Sequence, residues 1–166
     1  MKKSAALLVA ATALIAGPTL SAASAQAADN AARTQTTTAG AANVQQRVDA
    51  VLAGHTGGRQ ISANKVHFDG LDVTVYPKDQ AGKAKAAALN CRYGYLCIDV
   101  RGTVFNYYKC QLWTVSNWYG DGDFVNNQTP GTVARFYNKD GSQRWTSTAY
   151  QAGRATWDPI YSLRPC

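Results

Sequence analysis

The stretch CRYGYLCIDVRGTVFNYYKC, residues 91–110, marks the point where the chain changes character. It holds three of the four cysteines and two runs rich in β-branched and aromatic residues, Gly94–Asp99 and Val104–Cys110. Short runs of this composition, separated by turn-forming Gly, Asn, Asp and Pro residues, are typical of β-strands. The stretch therefore predicts that an all-β domain begins at Cys91.

The same pattern continues downstream to residue 166. Fifteen of the 17 aromatic residues lie in residues 91–166, and the further candidate strands are Leu112–Val115, Thr132–Asn138, Gln143–Thr148 and Ile160–Arg164. A spacing of about 8–12 residues between such runs predicts a sandwich or barrel. A domain of this size buries only about 60% of its unfolded surface. Because Leu, Ile and Met are scarce, aromatic side chains must fill most of the core.

Upstream, residues 44–77 predict a helix followed by a β-hairpin. Four apolar residues recur at i, i+4, i+7 and i+8, ahead of a possible helix end at Gly54: Val44, Val48, Val51 and Leu52. Residues 66–75 are apolar on both sides of Asp69-Gly70, a pair typical of a hairpin turn. One helix and one hairpin are too little to bury a core alone. We therefore expect residues 44–77 to be an appendage of the β domain.

Two polar segments flank this appendage. Residues 28–43 are rich in Ala, Thr and Asn and lack apolar periodicity, which predicts a disordered linker. Residues 78–90 (KDQAGKAKAAALN) are polar and Ala-rich, which predicts a second linker or a weak helix. The β domain then occupies residues 91–166.

The N-terminus carries the three parts of a secretory signal peptide. Lys2 and Lys3 precede the apolar segment Ala5–Ala16, and Ala25-Gln26-Ala27 offers a cleavage site. We therefore expect residues 1–27 to be removed from a secreted, extracellular protein that has no membrane segment after cleavage.

The cysteines all follow the predicted cleavage site: Cys91, Cys97, Cys110 and Cys166. An exported protein can keep disulfides, and four cysteines predict two bridges with three possible pairings. A zinc site is the alternative. Cys91-x5-Cys97 has the wrong spacing for a zinc knuckle, however, and the nearest histidine, His67, is 24 residues away. No metal site is predicted.

The charge pattern excludes one class of partner. Without Lys2 and Lys3, 15 of the 17 basic residues remain against ten acidic residues, all of them Asp. The basic residues are scattered, and no nucleic-acid-binding motif accompanies them. The sequence therefore predicts weak attraction to anionic surfaces and no nucleic-acid partner.

No catalytic constellation is visible in the sequence. The patterns G-x-S-x-G, H-E-x-x-H and the P-loop are all missing, and the two histidines, His55 and His67, lie outside the β domain. Asp121 and Asp123 could form a glycosidase pair, but two acids in a Gly-rich stretch are more typical of a solvated turn. We therefore expect no catalytic residue, no enzyme activity and no cofactor.

Three segments carry a resemblance to a known family: CRYGYLC at 91–97, NWYGDGDFVNNQT at 117–129 and TVARFYNKDG at 132–141. Over residues 91 to about 145, the chain resembles the small actinobacterial metallopeptidase inhibitors with a βγ-crystallin-like fold. The resemblance implies a Greek-key β domain and an extracellular peptidase as the partner. It also implies a Cys91–Cys97 bridge, which leaves Cys110 to pair with Cys166.

The crystallin likeness is uneven along the sequence. A Greek-key motif of this class consists of an aromatic residue, six further residues and a glycine. Tyr95 and Gly102 match this motif in the first half of the β domain. In the second half of the domain, Ala134 stands where the aromatic residue is expected. The two windows that would hold calcium, Gly122–Asn127 and Trp157–Ser162, each keep one acid. Calcium takes about six to eight oxygen ligands, so no calcium site is expected.

The predicted function is inhibition of extracellular peptidases by a secreted monomer. The candidate binding loop is the polar, Gly-rich segment Asn117–Gly131, and its expected contact residues are Asn117, Trp118, Tyr119, Asp121, Asp123, Asn126 and Asn127. A rigid loop on a disulfide-stapled scaffold loses little ordering entropy on binding. The alternative is a non-catalytic secreted binding module for cell-wall glycan or another surface ligand, and a secreted enzyme ranks third.

Overall fold

The described part of the chain forms one helix and eleven strands. A computed structural model of the protein describes residues 22–78, 89–158 and 160–166, so most of the predicted signal peptide (1–27) and of the linker 78–90 lies outside the described residues. The elements in chain order are α1 (Ala22–Gly54), β1 (Arg59–Ser62), β2 (Lys65–Phe68), β3 (Leu71–Val75), β4 (Tyr95–Val100), β5 (Thr103–Tyr107), β6 (Trp113–Thr114), β7 (Asp121–Asn127), β8 (Val133–Tyr137), β9 (Gln143–Thr148), β10 (Gln151–Thr156) and β11 (Ser162–Arg164). The β-rich fold class predicted from the sequence is confirmed.

Helix α1 begins far upstream of the predicted helix. Residues 28–43 are helical, so the prediction of a disordered linker there is wrong. The many alanines of this segment have the highest helix propensity of any residue, and the segment is helical although its side chains are almost all exposed. The chain divides into two compact units after Gln35, and only the part from Thr36 onward belongs with the strands.

The second half of α1 packs as the apolar pattern predicts. Val44 and Val48 are buried, and Val51 and Leu52 pack partly buried against the same core. The helix ends at Gly54, the predicted stop. The side chains at i, i+4, i+7 and i+8 therefore form the face that covers the sheet.

Seven strands form one antiparallel sheet in the order β1-β2-β3-β5-β4-β7-β10. β2 and β3 make the predicted hairpin around Asp69-Gly70, with Gly70 at φ 106°. β3 then pairs with β5, for example through Val73 and Phe105. The hairpin of the predicted appendage, residues 44–77, thus completes its pairing on a strand of the β domain.

The other four strands form a second sheet in the order β6-β11-β8-β9. Residues 91–166 supply β4 to β7 in their first half and β8 to β11 in their second half. Each sheet takes three of these strands from one half and one from the other, since β10 joins the first sheet and β6 joins the second. The two halves are thus interlocked by an exchange of one strand each.

Aromatic side chains fill the space between the two sheets. The rings of Phe136 and Trp145 stack with centroids 3.9 Å apart, and Phe124 lies 5.4 Å from Trp145 across the sheets. Trp157 is completely buried among them. The prediction that aromatic residues supply the core volume is confirmed.

Two disulfides staple the fold. Cys91 bonds to Cys97 with Cα atoms 5.7 Å apart, and Cys110 bonds to Cys166 with Cα atoms 5.3 Å apart. The implied pairing is confirmed, and it fits an oxidising, extracellular-like environment. Within the described ranges, the structure contains no helix with the length and apolar character that a membrane crossing requires.

Candidate functional site

Three of the predicted contact residues lie in the β6–β7 loop, residues 115–120: Asn117, Trp118 and Tyr119. Asn117 has φ 59° and Gly120 has φ 74°, so both adopt the left-handed conformation. Asn is among the few residues other than glycine that adopt this conformation readily. The local sequence therefore specifies a tight turn with a defined shape.

Trp118 anchors this loop in the core. Its side chain is 7% exposed, and its ring lies 5.0 Å from Phe105 and edge-on to Trp157 at 5.5 Å. The backbone of Gly120 is held as well, since its N–H donates to Asp158 Oδ2 at 2.6 Å and its carbonyl accepts from the Trp157 N–H at 2.9 Å. The loop is thus fixed from both sides before any partner arrives.

Tyr119 is the large side chain that this loop presents to solvent. It is 47% exposed, and the guanidinium carbon of Arg101 lies 3.5 Å from the centre of its ring. The Arg101 guanidinium also contacts the tyrosine hydroxyl. Because a cation over a ring face is attractive, Arg101 restrains the orientation of the exposed ring.

A cavity of about 100 Å³ lies next to this loop, between α1 and the β4–β5 turn, lined in part by Arg47, His55, Arg101, Asn117 and Trp118. It is smaller than the about 300–1,000 Å³ typical of ligand and cofactor sites. We therefore assign no cofactor to it.

Arg47 closes one side of the cavity and ties α1 to the sheet. Its guanidinium donates to the carbonyl of Tyr76 at 2.6 Å, to the carbonyl of Arg101 at 3.0 Å and to Thr103 Oγ1 at 2.6 Å. Burial and the neighbouring charge of Arg101 lower the pKa of Arg47. Its donors serve the fold, so Arg47 is a structural clamp rather than a ligand group.

His55 lies at the end of α1 and is half-buried, although its position after a helix predicts a surface residue. Its ring centre is 5.3 Å from Phe68 and 6.1 Å from Trp113, and Nδ1 lies 3.3 Å from the Val51 carbonyl oxygen. Burial lowers the pKa of His55, which keeps the imidazole neutral at pH 7. A neutral ring between two aromatic rings acts in packing.

The other four predicted contact residues are not in a loop. Asp121, Asp123, Asn126 and Asn127 belong to β7, which lies between β4 and β10 inside the seven-stranded sheet. The prediction of one continuous binding loop over residues 117–131 is therefore wrong. The glycine in this polar sequence has a role in the strand. Gly122 lies so close to the Asp99 carbonyl that a Cβ at this position would overlap it.

The polar side chains of β7 serve the interior. Asn126 is fully buried, and its Nδ2 donates to the Ser147 carbonyl of β9 at 2.8 Å, which joins the two sheets. Asp123 is buried with Arg154 Nη1 3.4 Å away, and Asn127 donates to the Cys91 carbonyl at 2.9 Å. Asp121 is exposed and accepts from Thr156 Oγ1 at 2.7 Å. Of these four, Asp121 is the one that a partner can reach freely.

Asp99 is a buried acid of β4 that the sequence did not single out. Its Oδ1 accepts the N–H of Gly102 at 2.8 Å, and its backbone carbonyl accepts the Trp157 indole N–H at 2.8 Å. Burial, with a smaller contribution from the nearby Asp123 carboxylate, raises the pKa of Asp99 to about 6, although the Gly102 hydrogen bond and the charges of Arg47 and Arg154 oppose the rise. Asp99 thus changes its charge in the mildly acidic range.

Arg47 and Arg101 are also absent from the predicted residues, although the sequence carries signals for both. Arg47 is four residues before Val51, which places it beside the apolar face of α1. Arg101 and Gly102 have φ 50° and 76°, the pattern of a two-residue hairpin turn between β4 and β5. In the sequence, this Arg-Gly pair lies between the two β-rich runs of the stretch 91–110, which is where a hairpin turn is expected.

Comparisons of the chain with protein-family models, with curated proteins and with solved structures found no match. Among the residues that the structure describes, no group of three or more His, Cys or Asp side chains is arranged to hold a metal ion. The chemistry of the β6–β7 loop is therefore the basis for a functional assignment.

Proposed function

We propose that this protein is a secreted inhibitor of extracellular peptidases, and that the β6–β7 loop is its contact element. The observation that carries the proposal is the loop itself, in which Trp118 is buried, Gly120 is hydrogen-bonded at both backbone groups and Tyr119 is presented to solvent. Binding hot spots are enriched in tyrosine, and a loop ordered in advance loses little entropy on binding.

The proposal includes a βγ-crystallin-like Greek-key scaffold. The exchange of β6 and β10 between the sheets supports it, because a Greek-key unit also returns a distant strand beside an earlier one. The predicted motif residues support it too: Tyr95 begins β4, and Gly102 has φ 76° in the following turn.

The predicted contact set is narrowed in this proposal. Asn117, Tyr119 and Asp121 remain as contact residues, because all three are exposed. Trp118, Asp123 and Asn126 act as supports of the scaffold, since their side chains are buried, and Asn127 does so through its bond to the Cys91 carbonyl. A carboxylate that approaches a metal ion in a metallopeptidase cleft would have to come from Asp121.

The tryptophans offer no exposed platform for sugar rings. Trp113, Trp118 and Trp157 are buried, and Trp145 is half-buried against the core. A glycan-binding module that depends on a stack of exposed tryptophans is therefore not the function that the geometry favours.

The test is inhibition of thermolysin-like, subtilisin-like and trypsin-like peptidases by the secreted protein. We expect at least one class to be inhibited in the micromolar range or better, and Tyr119→Ala to weaken inhibition about tenfold or more, as loss of a hot-spot residue does. Tyr150→Ala is the matched control, since Tyr150 is 67% exposed and lies outside the loop; it should leave inhibition within about twofold of wild type.

A second pair of variants tests the shape of the loop. Asn117→Gly permits φ 59°, whereas Asn117→Val opposes it because a β-branched residue is strained there. We expect the glycine variant to inhibit almost as well as wild type and the valine variant to be weaker. Failure to inhibit any of the three peptidase classes, or equal inhibition by all four variants, would overturn the proposal.

A further inference from the structure

The outer face of the four-stranded sheet carries an unusual charge arrangement. Along β8, Ala134 and Phe136 point into the core and are fully buried, so Arg135 and Tyr137 lie on the outer face. On β11, the buried residue is Leu163, so Arg164 is on the outer face as well. We call this surface the basic face.

Arg135 and Arg164 are directly opposite each other across β8 and β11. Side chains at such positions start about 5 Å apart, and like charges there destabilise a sheet. Arg135 donates to the Val133 carbonyl of its own strand at 3.0 Å. In the described ranges, neither guanidinium has an acidic partner within 4.0 Å.

No acid of the sheet offsets this repulsion. The four strands contain three arginines and no Asp or Glu: Arg135, Arg144 and Arg164. The β8–β9 turn adds Lys139, whose ammonium lies 5.9 Å from the ring centre of Tyr161. Asp140 in the same turn accepts the backbone N–H of Ser142 at 2.9 Å and its hydroxyl at 2.6 Å, and in the described ranges it has no basic side chain within 4.0 Å.

Hydroxyl groups surround the opposed arginines. Thr146 of β9 is paired with Arg135, and Ser162 of β11 is paired with both Tyr137 and Thr114. The surface thus presents guanidinium, hydroxyl and phenol groups side by side.

We propose that the basic face binds an anionic polysaccharide. Guanidinium groups pair with carboxylate, sulfate or phosphate groups, and a polymer with regularly spaced anions can engage Arg135 and Arg164 together. The threonine and serine hydroxyls and the ring of Tyr137 then face sugar hydroxyls and sugar C–H groups. This binding uses none of the residues of the inhibitory loop, so either activity can fail without the other.

The experiment measures binding of the whole protein to immobilised polysaccharides by biolayer interferometry. Polygalacturonate supplies carboxylates, heparin supplies sulfates and dextran is the neutral control. We expect binding to at least one anionic polymer and none to dextran, with affinity falling steeply between 50 and 200 mM salt because the contacts are ionic. The anionic polymer that binds more tightly identifies the anion.

The key variant is the double substitution Arg135→Gln/Arg164→Gln. We expect it to weaken polysaccharide binding about tenfold or more, as the loss of two charge-assisted contacts should. The matched control is Arg59→Gln/Lys65→Gln, which removes the same net charge from exposed positions of β1 and β2. It should change binding by no more than about threefold, because screened distant charges contribute little.

Thermal stability separates binding from a structural role. Arg164→Gln should leave the melting temperature unchanged or raise it, since it removes a like-charge contact, while it weakens binding. Equal weakening by both double variants, or binding to dextran, would overturn the proposal. Tighter binding to poly-L-glutamate or to double-stranded DNA than to either polysaccharide would overturn it in favour of an acidic protein or a nucleic acid.

Discussion

The two sheets differ in how many of their faces are buried. In the seven-stranded sheet, β4 and β7 each contain five consecutive buried residues, so both faces of these strands are covered. A small cluster of Leu89, Val104 and Val125 covers the second face. In the four-stranded sheet, β8 alternates strictly between buried and half-buried residues. The seven-stranded sheet is therefore two-sided at its central strands β4 and β7, and the four-stranded sheet is one-sided.

This difference determines whether a polar side chain is buried within the fold or exposed to solvent. In the two-sided sheet, the polar residues Asp99 and Asn126 are buried and bond to other parts of the fold. In the one-sided sheet, Arg164 points to solvent and has no acidic partner in the described ranges. Asp99 and Asn126 thus help to hold the first sheet in place, whereas Arg164 on the second sheet is available to a partner.

The largest expected loss of stability comes from removing the disulfide that joins the two sheets. The Cys110–Cys166 bridge spans 56 residues and joins the end of β5 to the end of β11, whereas Cys91–Cys97 spans 6 residues beside β4. Loop-closure entropy predicts that Cys110→Ala/Cys166→Ala lowers the unfolding free energy by about 4 kcal/mol and Cys91→Ala/Cys97→Ala by about 2 kcal/mol. Urea denaturation measures both, and equal losses would contradict this account.

A methyl group placed inside the two-sided sheet should have the next largest effect. In Gly122→Ala, the new Cβ would overlap the Asp99 carbonyl and the Trp157 indole nitrogen. We expect a loss of about 3 kcal/mol, since overpacking here displaces backbone. In the control Gly153→Ala on the edge strand β10, the Cβ meets a Phe124 ring carbon at 3.3 Å, and the change should be below about 1 kcal/mol. A tolerated Gly122→Ala would show that β7 is not covered on both faces.

Burial of Asp99 should make stability depend on pH. Its pKa is about 6 in the fold and about 3.9 in the unfolded chain, so folding favours the protonated form. The stabilisation is complete below pH 4 and is lost as pH rises through 6, by up to about 3 kcal/mol. Asp99→Asn keeps the oxygen that accepts the Gly102 N–H. The variant should match wild type at pH 4 and exceed it at pH 7 in urea melts; a constant difference would refute the assignment.

The smallest expected change in stability concerns Ser147 and Thr148, which are adjacent on β9. Ser147 is fully buried, and its hydroxyl has no hydrogen-bond partner in the described part of the chain. Ser147→Ala removes an unsatisfied group and should stabilise the fold by up to about 1 kcal/mol. Thr148→Ala lies on the exposed side of the strand and should change stability by less than about 0.5 kcal/mol. Destabilisation by Ser147→Ala would show that the hydroxyl is bonded after all.

The one-sided elements were predictable from the sequence. The apolar face of α1 and the β2–β3 hairpin follow from residue spacing, because each buries one face. The candidate strands Thr132–Asn138 and Gln143–Thr148 contain β8 and β9 for the same reason. The disulfide pairing followed from the resemblance and not from spacing.

Strand β7, which is covered on both faces, and its neighbour β10 at the edge of the sheet were not predictable from residue spacing. β7 reads DGDFVNN, and the side chains of Asn126 and Asn127 lie in the interior because the carbonyls of Ser147 and Cys91, both remote in sequence, accept their hydrogen bonds. β10 reads QAGRAT and contains no large apolar residue. Local composition favours a loop in both cases, so pairing with distant strands determined the structure. Four of the seven predicted contact residues were misplaced for this reason, while Tyr119 does lie in a loop.

The exchanged strands have a consequence for when this protein can fold. β11 lies between β6 and β8 and pairs Leu163 with both Trp113 and Phe136. β6 therefore has no strand to join until residues 162–164 have been synthesised, some fifty positions later. Contacts at such separation form slowly. The four-stranded sheet therefore cannot be completed before β11 has been synthesised, so the final fold forms late, and this order is compatible with the proposed secretion.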